Sequence, residues 1–182
     1  NPDALVIAGL GATVWDLTAA GDRHSTFPLW GAMGGAAAMG LGLALAQPEK
    51  RVIVVTGDGE QLMGLGALAT VAVQRPGNLA IVVFDNESYG ETGMQATHTA
   101  AGVDLAGVAR AAGFPTIVSA STNAELDDAL RTVSSGKGAG RPGQAFRDML
   151  LDFAPKGRNE TEIMDWMRRH DEYEDAPARK SA

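Results

Sequence analysis

The segment at residues 51–56 (RVIVVT) constrains this chain more than any other. Three valines and an isoleucine within six residues suit a strand covered on both faces, because a half-exposed strand alternates apolar with polar residues. Residues 79–84 (LAIVVF) repeat the pattern, and residues 4–8 (ALVIA) give a shorter third instance. Stretches of helical character separate them, at residues 12–20, 35–47 and 61–74, the last stopped by Pro76-Gly77. Doubly covered strands alternating with helices predict an α/β fold: a three-layer open sheet, mostly parallel, with helices on both faces. Residues 25–30 add an extended piece, and a long polar loop is expected from Asp85 to about residue 103. Beyond it, residues 104–113 predict a helix with Asp104 as N-cap, 115–119 a strand, and 122–133 a helix opened by the capping sequence Thr122-Asn123-Ala124-Glu125. Residues 149–153 are the last strand expected.

A chain of 182 residues has enough length for one core and not for two. The reading is a domain over 1–154, with a glycine-rich loop at 134–143 inside it, and a charged tail over 155–182. In that tail 13 of 28 residues are Asp, Glu, Lys or Arg, and Ile163, Trp166 and Met167 lie at helical spacing, which predicts a short docking helix over 160–169. The formal charge of -7 would repel a phosphate backbone, so nucleic acid is not an expected partner. The absence of cysteine excludes disulfides, thiolate zinc sites and cysteine-bound iron–sulfur clusters, and three scattered histidines do not make a zinc site. No charged residue occurs from Phe27 to Pro48, long enough to span a bilayer. The run is nevertheless rich in glycine and alanine and flanked by Pro28 and Pro48, which suits a tightly packed helix and not a membrane span. With no basic stretch leading into an apolar core at the amino end, a cytoplasmic location is expected.

Chemistry concentrates where strands end. Gly57-Asp58-Gly59-Glu60 follows the strand at 51–56, and Asp85-Asn86 follows the strand at 79–84, with twenty-five residues between Gly59 and Asp85. In open parallel sheets ligands bind beyond the carboxyl ends of the strands. Glycines flanking a turn let an anionic oxygen approach the backbone, but the carboxylate of Asp58 would repel a phosphate unless a hard cation lay between them. Taken alone, Gly-Asp-Gly also fits a tight turn in which Asp58 caps a helix. A single right-handed crossover would bring Asp58 and Asn86 to the same sheet edge, where two oxygen ligands can face one ion. Magnesium typically combines one or two such side chains with a carbonyl, phosphates and water, and Asp58, Asn86 and the carbonyl of Ser88 fit that set.

The Gly-Asp-Gly of residues 57–59, the interval and Asn86 resemble the diphosphate-and-magnesium motif of thiamine diphosphate (ThDP) enzymes. The segment Leu29-Trp30-Gly31-Ala32-Met33-Gly34 resembles the glycine-hydrophobe-glycine segment of the decarboxylases in that family. Asn86-Glu87-Ser88-Tyr89-Gly90-Glu91-Thr92-Gly93 resembles the loop after the metal ligand, with Asp85 where the family often has a first asparagine. Length and the segment at 89–99 (YGETGMQATHT) are most similar to β subunits of sulfopyruvate decarboxylases and to the corresponding part of phosphonopyruvate decarboxylases. The likeness covers roughly residues 1–133.

The resemblance implies a diphosphate-binding (PP) domain of the ThDP fold, with ThDP and Mg2+ as cofactors. It implies that Asp58, Asn86 and Ser88 hold the metal, and that these three with Gly57, Gly59, Glu60, Tyr89 and Gly90 bind the cofactor. It also makes Gly31 the partner of the cofactor's amino group and Met33 the wedge that bends the cofactor, and it counts Gly34 among the cofactor-binding residues. Residues taken singly allow plainer readings: Met33 as core filler, His98 as an exposed loop histidine, Arg23 as a surface arginine. Glu91 and His98 are the candidate catalytic acid–base groups. The implied reaction splits a 2-oxo acid into carbon dioxide and an aldehyde. It requires a glutamate from a pyrimidine-binding (PYR) domain, so the resemblance implies a separate α subunit and a hetero-oligomer with at least two copies of each chain. A carboligase of the acetolactate synthase type shares the same motifs, and a non-catalytic phosphate- or nucleotide-binding module is the alternative from a different class. That last option is weakened because neither Gly-x-Gly-x-x-Gly after the first strand nor a P-loop lysine is present.

Overall fold

Residues 3–21, 23–134 and 149–153 are described by a computed structural model of the chain. The glycine cluster beyond Ser134, the tail at 155–182 and the helix expected at 160–169 lie outside the described residues. In chain order the elements are β1 (Leu5–Ala8), α1 (Ala12–Ala19), β2 (Thr26–Pro28), α2 (Ala36–Ala46), β3 (Val52–Gly57), α3 (Asp58–Met63), α4 (Gly66–Gln74) and β4 (Leu79–Phe84). The short strands β5 (Ser88–Tyr89) and β6 (Gln95–Ala96) follow, then α5 (Leu105–Ala112), β7 (Thr116–Ala120), α6 (Asn123–Ser134) and β8 (Met149–Phe153).

Six strands pair in the order β2-β1-β3-β4-β8-β7, every pair parallel, while β5 and β6 form a separate antiparallel pair. The chain leaves β1 for β2 on one side and returns to β3 on the other, so the strand order reverses between β1 and β3. Crevices beyond the strand ends open at such a reversal. Alternate side chains of the central strands supply two cores. Ile7, Val52, Val54, Leu79, Ile81 and Val83 pack with residues of α2, α4 and α5 on one face. Val6, Ala8, Val55, Ala80, Val82 and Phe84 pack with α1 and α6 on the other. The apolar runs are continuous because each strand serves both layers.

Two capping predictions are met in detail. Asp104 accepts from the Gly107 N–H at 2.7 Å. Thr122 and Glu125 exchange bonds reciprocally, the Thr122 hydroxyl accepting from the Glu125 amide at 3.3 Å and Glu125 accepting from the amides of Ser121 and Thr122. Asn78 closes the turn into β4, its amide group donating to the carbonyls of Ala44, Gln47 and Lys50 at 3.1, 2.9 and 2.7 Å.

Two expectations need correction. The helix expected over 61–74 is two helices: α3 runs Asp58–Met63 with Gly64 as its C-cap, and α4 starts at Gly66. Glycines at 64 and 66 weaken the helix there, and Gly64 lies so close to the Gly34 carbonyl that a Cβ at 64 would overlap it. The polar loop after Asp85 contains order of its own, the β5–β6 pair closed by a 3-10 turn at Gly90–Thr92.

Candidate functional site

The register of β3 against β4 pairs Gly57 with Phe84, which sets Asp58 and Asp85 side by side one step beyond the last paired residues. Asp58 is buried although it opens a helix at the sheet edge. Its Oδ2 accepts from the Thr97 hydroxyl at 2.5 Å and the Thr99 hydroxyl at 3.0 Å. The Thr99 hydroxyl also lies 2.7 Å from Asp85 Oδ1, and the two threonine oxygens are 2.8 Å apart. Two hydroxyl protons thus serve two carboxylates. Burial pushes the Asp58 carboxyl above its ordinary value, and the Asp85 charge adds to this, opposed by the Thr97, Thr99 and Gly59 hydrogen bonds. A carboxylate pair so placed is short of positive charge.

The backbone after β4 is bent to present this edge. Asn86 Oδ1 accepts from the Ser88 N–H at 3.0 Å, Asp85 Oδ1 accepts from the Glu87 N–H at 3.2 Å, and Glu87 takes a left-handed φ of 60°. Gly59 is required by a close approach, because a Cβ there would sit 2.5 Å from the Tyr89 ring. The ring packs over the turn that follows Asp58.

Glu60, two residues into α3, is buried as well. Its Oε1 accepts from the Ala36 N–H at 3.2 Å and its Oε2 from the Thr56 hydroxyl at 2.7 Å, with the amides of Gly34 and Leu10 also reaching the carboxylate. A Cβ at Gly9 would overlap Oε2. Burial raises this carboxyl too, against the pull of those hydrogen bonds. Its oxygens are engaged by protein donors from β3 and from the first turn of α2.

Met33 stands on a turn whose neighbours are both left-handed, Ala32 at φ 55° and Gly34 at φ 87°, closed by a 2.9 Å bond from the Gly35 amide to the Ala32 carbonyl. For an alanine that conformation costs roughly 1–2 kcal/mol, so the packing around the turn enforces it. Met33 is 37% exposed and faces a cavity of about 280 Å³ at the strand-order reversal. Leu10 to Thr13 and Trp15 form one wall of that cavity; residues 57–60, Asn86 and 88–92 form the rest. Trp15, which lines the cavity, meets Trp30 edge to face with centroids 4.7 Å apart, each more than half exposed.

Of the residues singled out in the sequence, Met33, Gly57, Asp58, Gly59, Glu60, Asn86, Ser88, Tyr89, Gly90 and Glu91 share this cavity. Gly31 and Gly34 do not line it: Gly31 is exposed, and Gly34 packs on Met63 and Gly64. His98 is exposed and outside the cavity; it opens a turn, and the Thr97 and Thr99 side chains on either side of it point inward to Asp58. Thr97, Thr99 and the wall from residues 10–15 went unnoticed in the sequence. The alternating threonines of 97–99 were the only visible signal for the first two.

The donor set fits a magnesium-bridged diphosphate. Among the described residues no three His, Cys, Asp or Glu converge into a self-sufficient metal cage. One buried acid beside a carboxamide and open backbone carbonyls is what magnesium takes when phosphates complete its shell. A parallel sheet with a glycine-lined acidic turn at its strand-order reversal defines an α/β protein with a ligand crevice beyond its strand ends. Residues 9–140 match the family described as "Thiamine pyrophosphate enzyme, C-terminal TPP binding domain", and the chain belongs to that family. Thiamine diphosphate is therefore the cofactor class of this domain.

The chain is 49% identical over 115 residues to the sulfopyruvate decarboxylase subunit beta of Methanothermobacter thermautotrophicus, covering 63% of this chain and 61% of that one. It is 42% identical over 150 residues to the phosphonopyruvate decarboxylase of Streptomyces viridochromogenes, covering 82% of this chain and 37% of the relative. The match thus spans less than two thirds of either relative's length. A thiamine diphosphate-dependent 4-hydroxybenzoylformate decarboxylase of Rhodococcus jostii superposes with a TM-score of 0.65 at 19% identity, over 85% of this chain and 30% of that one. That likeness is one of fold. Among the described residues no helix is long and apolar enough to cross a membrane.

Proposed function

We propose that this chain is the diphosphate- and magnesium-binding subunit of a heteromeric ThDP-dependent 2-oxo acid decarboxylase of the sulfopyruvate or phosphonopyruvate type. The observation that carries the proposal is the convergence on one cavity of buried Asp58, Asn86 at the end of the adjacent strand, and Met33 on its strained turn. The similarity to relatives named for those two activities supports the substrate class.

When bound, ThDP supplies the electron sink that lets the bond between a 2-oxo acid's carbonyl carbon and its carboxylate break. Asp58, the Asn86 side chain and the Ser88 carbonyl would hold Mg2+ against the diphosphate. The amides at 57–59, with glycine at 57 and 59, would let phosphate oxygens approach the backbone. Met33, which faces the cavity, would bend the cofactor, and the Gly31 carbonyl, outside the cavity of this chain alone, would meet the amino group where a partner extends the site. Glu91 at the cavity wall is the acid this chain can place near the reacting carbon to return a proton.

Trp15 and Met33, which line the cavity, stay 61% and 37% exposed in this chain, as residues of a site shared with a partner should be. The name "subunit beta" carried by one relative points the same way. A PYR-domain partner covering Trp15, Trp30 and Met33 would complete the site and bring the glutamate.

Titration calorimetry with ThDP and Mg2+ tests the metal assignment. Asp58→Ala should abolish magnesium-dependent binding, whereas His98→Ala should bind nearly as the parent does and at most slow turnover. Retained affinity in the Asp58 variant would contradict the assignment. Product analysis of the assembled enzyme tests the reaction: carbon dioxide and an aldehyde from sulfopyruvate or phosphonopyruvate support decarboxylation, a coupled product from pyruvate shifts the reading to a carboligase, and binding without turnover makes the chain a non-catalytic module.

A further inference from the structure

Glu60 lines the cavity wall, but its carboxylate oxygens are taken by the protein. One oxygen holds the first turn of α2 through the Ala36 N–H, the other holds the end of β3 through Thr56, and the amides of Gly34 and Leu10 add the Met33 turn and the loop after β1. The other end of α3 makes a second contact with the same turn: Gly64 lies against the Gly34 carbonyl with no space for a Cβ, and a Cβ at Gly34 would crowd Gly64 and Met63. One short helix therefore carries Asp58 at its start and grips the Met33 turn at two places along its length. The turn needs such a grip, because Ala32 and Gly34 both take left-handed conformations.

We propose that Glu60 is a positioning residue that keys the Met33 turn to the turn carrying Asp58, fixing the distance between the wedge and the diphosphate site. The inference rests on the ThDP reading above. It differs from that reading in giving Glu60 no contact with the cofactor: the carboxylate acts through the amides of Gly34 and Ala36. Losing the linkage should leave the diphosphate end intact and misplace the end that bends the cofactor.

Two probes separate these ends, ThDP with Mg2+ and inorganic pyrophosphate with Mg2+, measured on the full chain assembled with its PYR-domain subunit. The isosteric Glu60→Gln keeps shape and loses charge-assisted bonds, so ThDP should weaken by about tenfold or more while pyrophosphate changes by less than about threefold. In the cofactor-free chain the amides of Gly34 and Ala36 should exchange hydrogen at least about tenfold faster than in the parent. Gly64→Ala displaces the turn from the other side with the carboxylate untouched, and should give the same split between the two probes. Equal losses for both probes in Glu60→Gln would mean that Glu60 holds the diphosphate itself, and unchanged ThDP affinity in both variants would mean that no linkage operates. Either result overturns the positioning role while the ThDP reading stands. A parent assembly that binds neither probe overturns the ThDP reading itself.

Discussion

Asp58 is where the end of β3 becomes the start of α3, and its environment is readable as electrostatics. It is buried, it neighbours Asp85, and two threonine hydroxyls divide their protons between the two acids. Its folded-state carboxyl is raised above 3.8, so in the metal-free chain the folded state binds more protons than the unfolded one above that pH. Stability contributed by Asp58 is then full at low pH and is lost as pH rises through the folded value. Urea melts of the metal-free parent and Asp58→Asn across pH 4 to 8 should show the parent losing stability relative to the variant as pH rises, and saturating ThDP with Mg2+ should remove the trend. A difference independent of pH would sink this account. Residues Gly57 to Gly59 and Asn86 could be picked out from the sequence because they follow apolar runs directly. Thr97 and Thr99 could not, since they reach Asp58 across 39 and 41 residues and only the fold-back at β5–β6 brings them there.

Helix α2 shows how an element's composition is set by its neighbours. Its glycines look like poor choices, since glycine costs about 1 kcal/mol against alanine in a helix interior. Gly40, however, is buried against β3, and a Cβ there would overlap Val54. Gly42 on the same helix is exposed, and a methyl group added there would meet nothing within 4 Å. The two alanine substitutions should therefore have opposite signs: Gly40→Ala should destabilise by about 1–2 kcal/mol, overpacking outweighing propensity, and Gly42→Ala should stabilise by up to about 1 kcal/mol. Chemical denaturation of the pair decides it, and a stabilised Gly40 variant would show that α2 can move off the sheet. The elements themselves were largely legible because each has a periodic apolar pattern or a cap, as Asp104 and Thr122 show. The break between α3 and α4 was not, because what favours it is the approach of Gly34 from a different part of the chain.

At the scale of the molecule, the site links four loops at one sheet edge, so ligand and fold should stabilise each other. Cofactor at a hundredfold excess over its dissociation constant adds about 2.7 kcal/mol to a state that alone binds it. For a chain of this size that corresponds to a rise in Tm of roughly 5–10 °C. Scanning calorimetry of the assembled protein with ThDP and Mg2+ should show this rise, with no rise in Asp58→Ala; an equal rise in both would place the ligand elsewhere. The sequence by itself determined the layered α/β architecture, since only strands covered on both faces tolerate runs such as RVIVVT and LAIVVF. It also determined that acid and amide groups follow those runs. Tertiary structure alone decided that β8 lies between β4 and β7, that Glu60 faces protein donors, and that His98 faces out while its neighbours face in. The reason is physical: apolar periodicity is a local property that a strand or helix expresses wherever it sits, whereas the partners of a buried polar group are set by which distant segments the fold brings within hydrogen-bond reach.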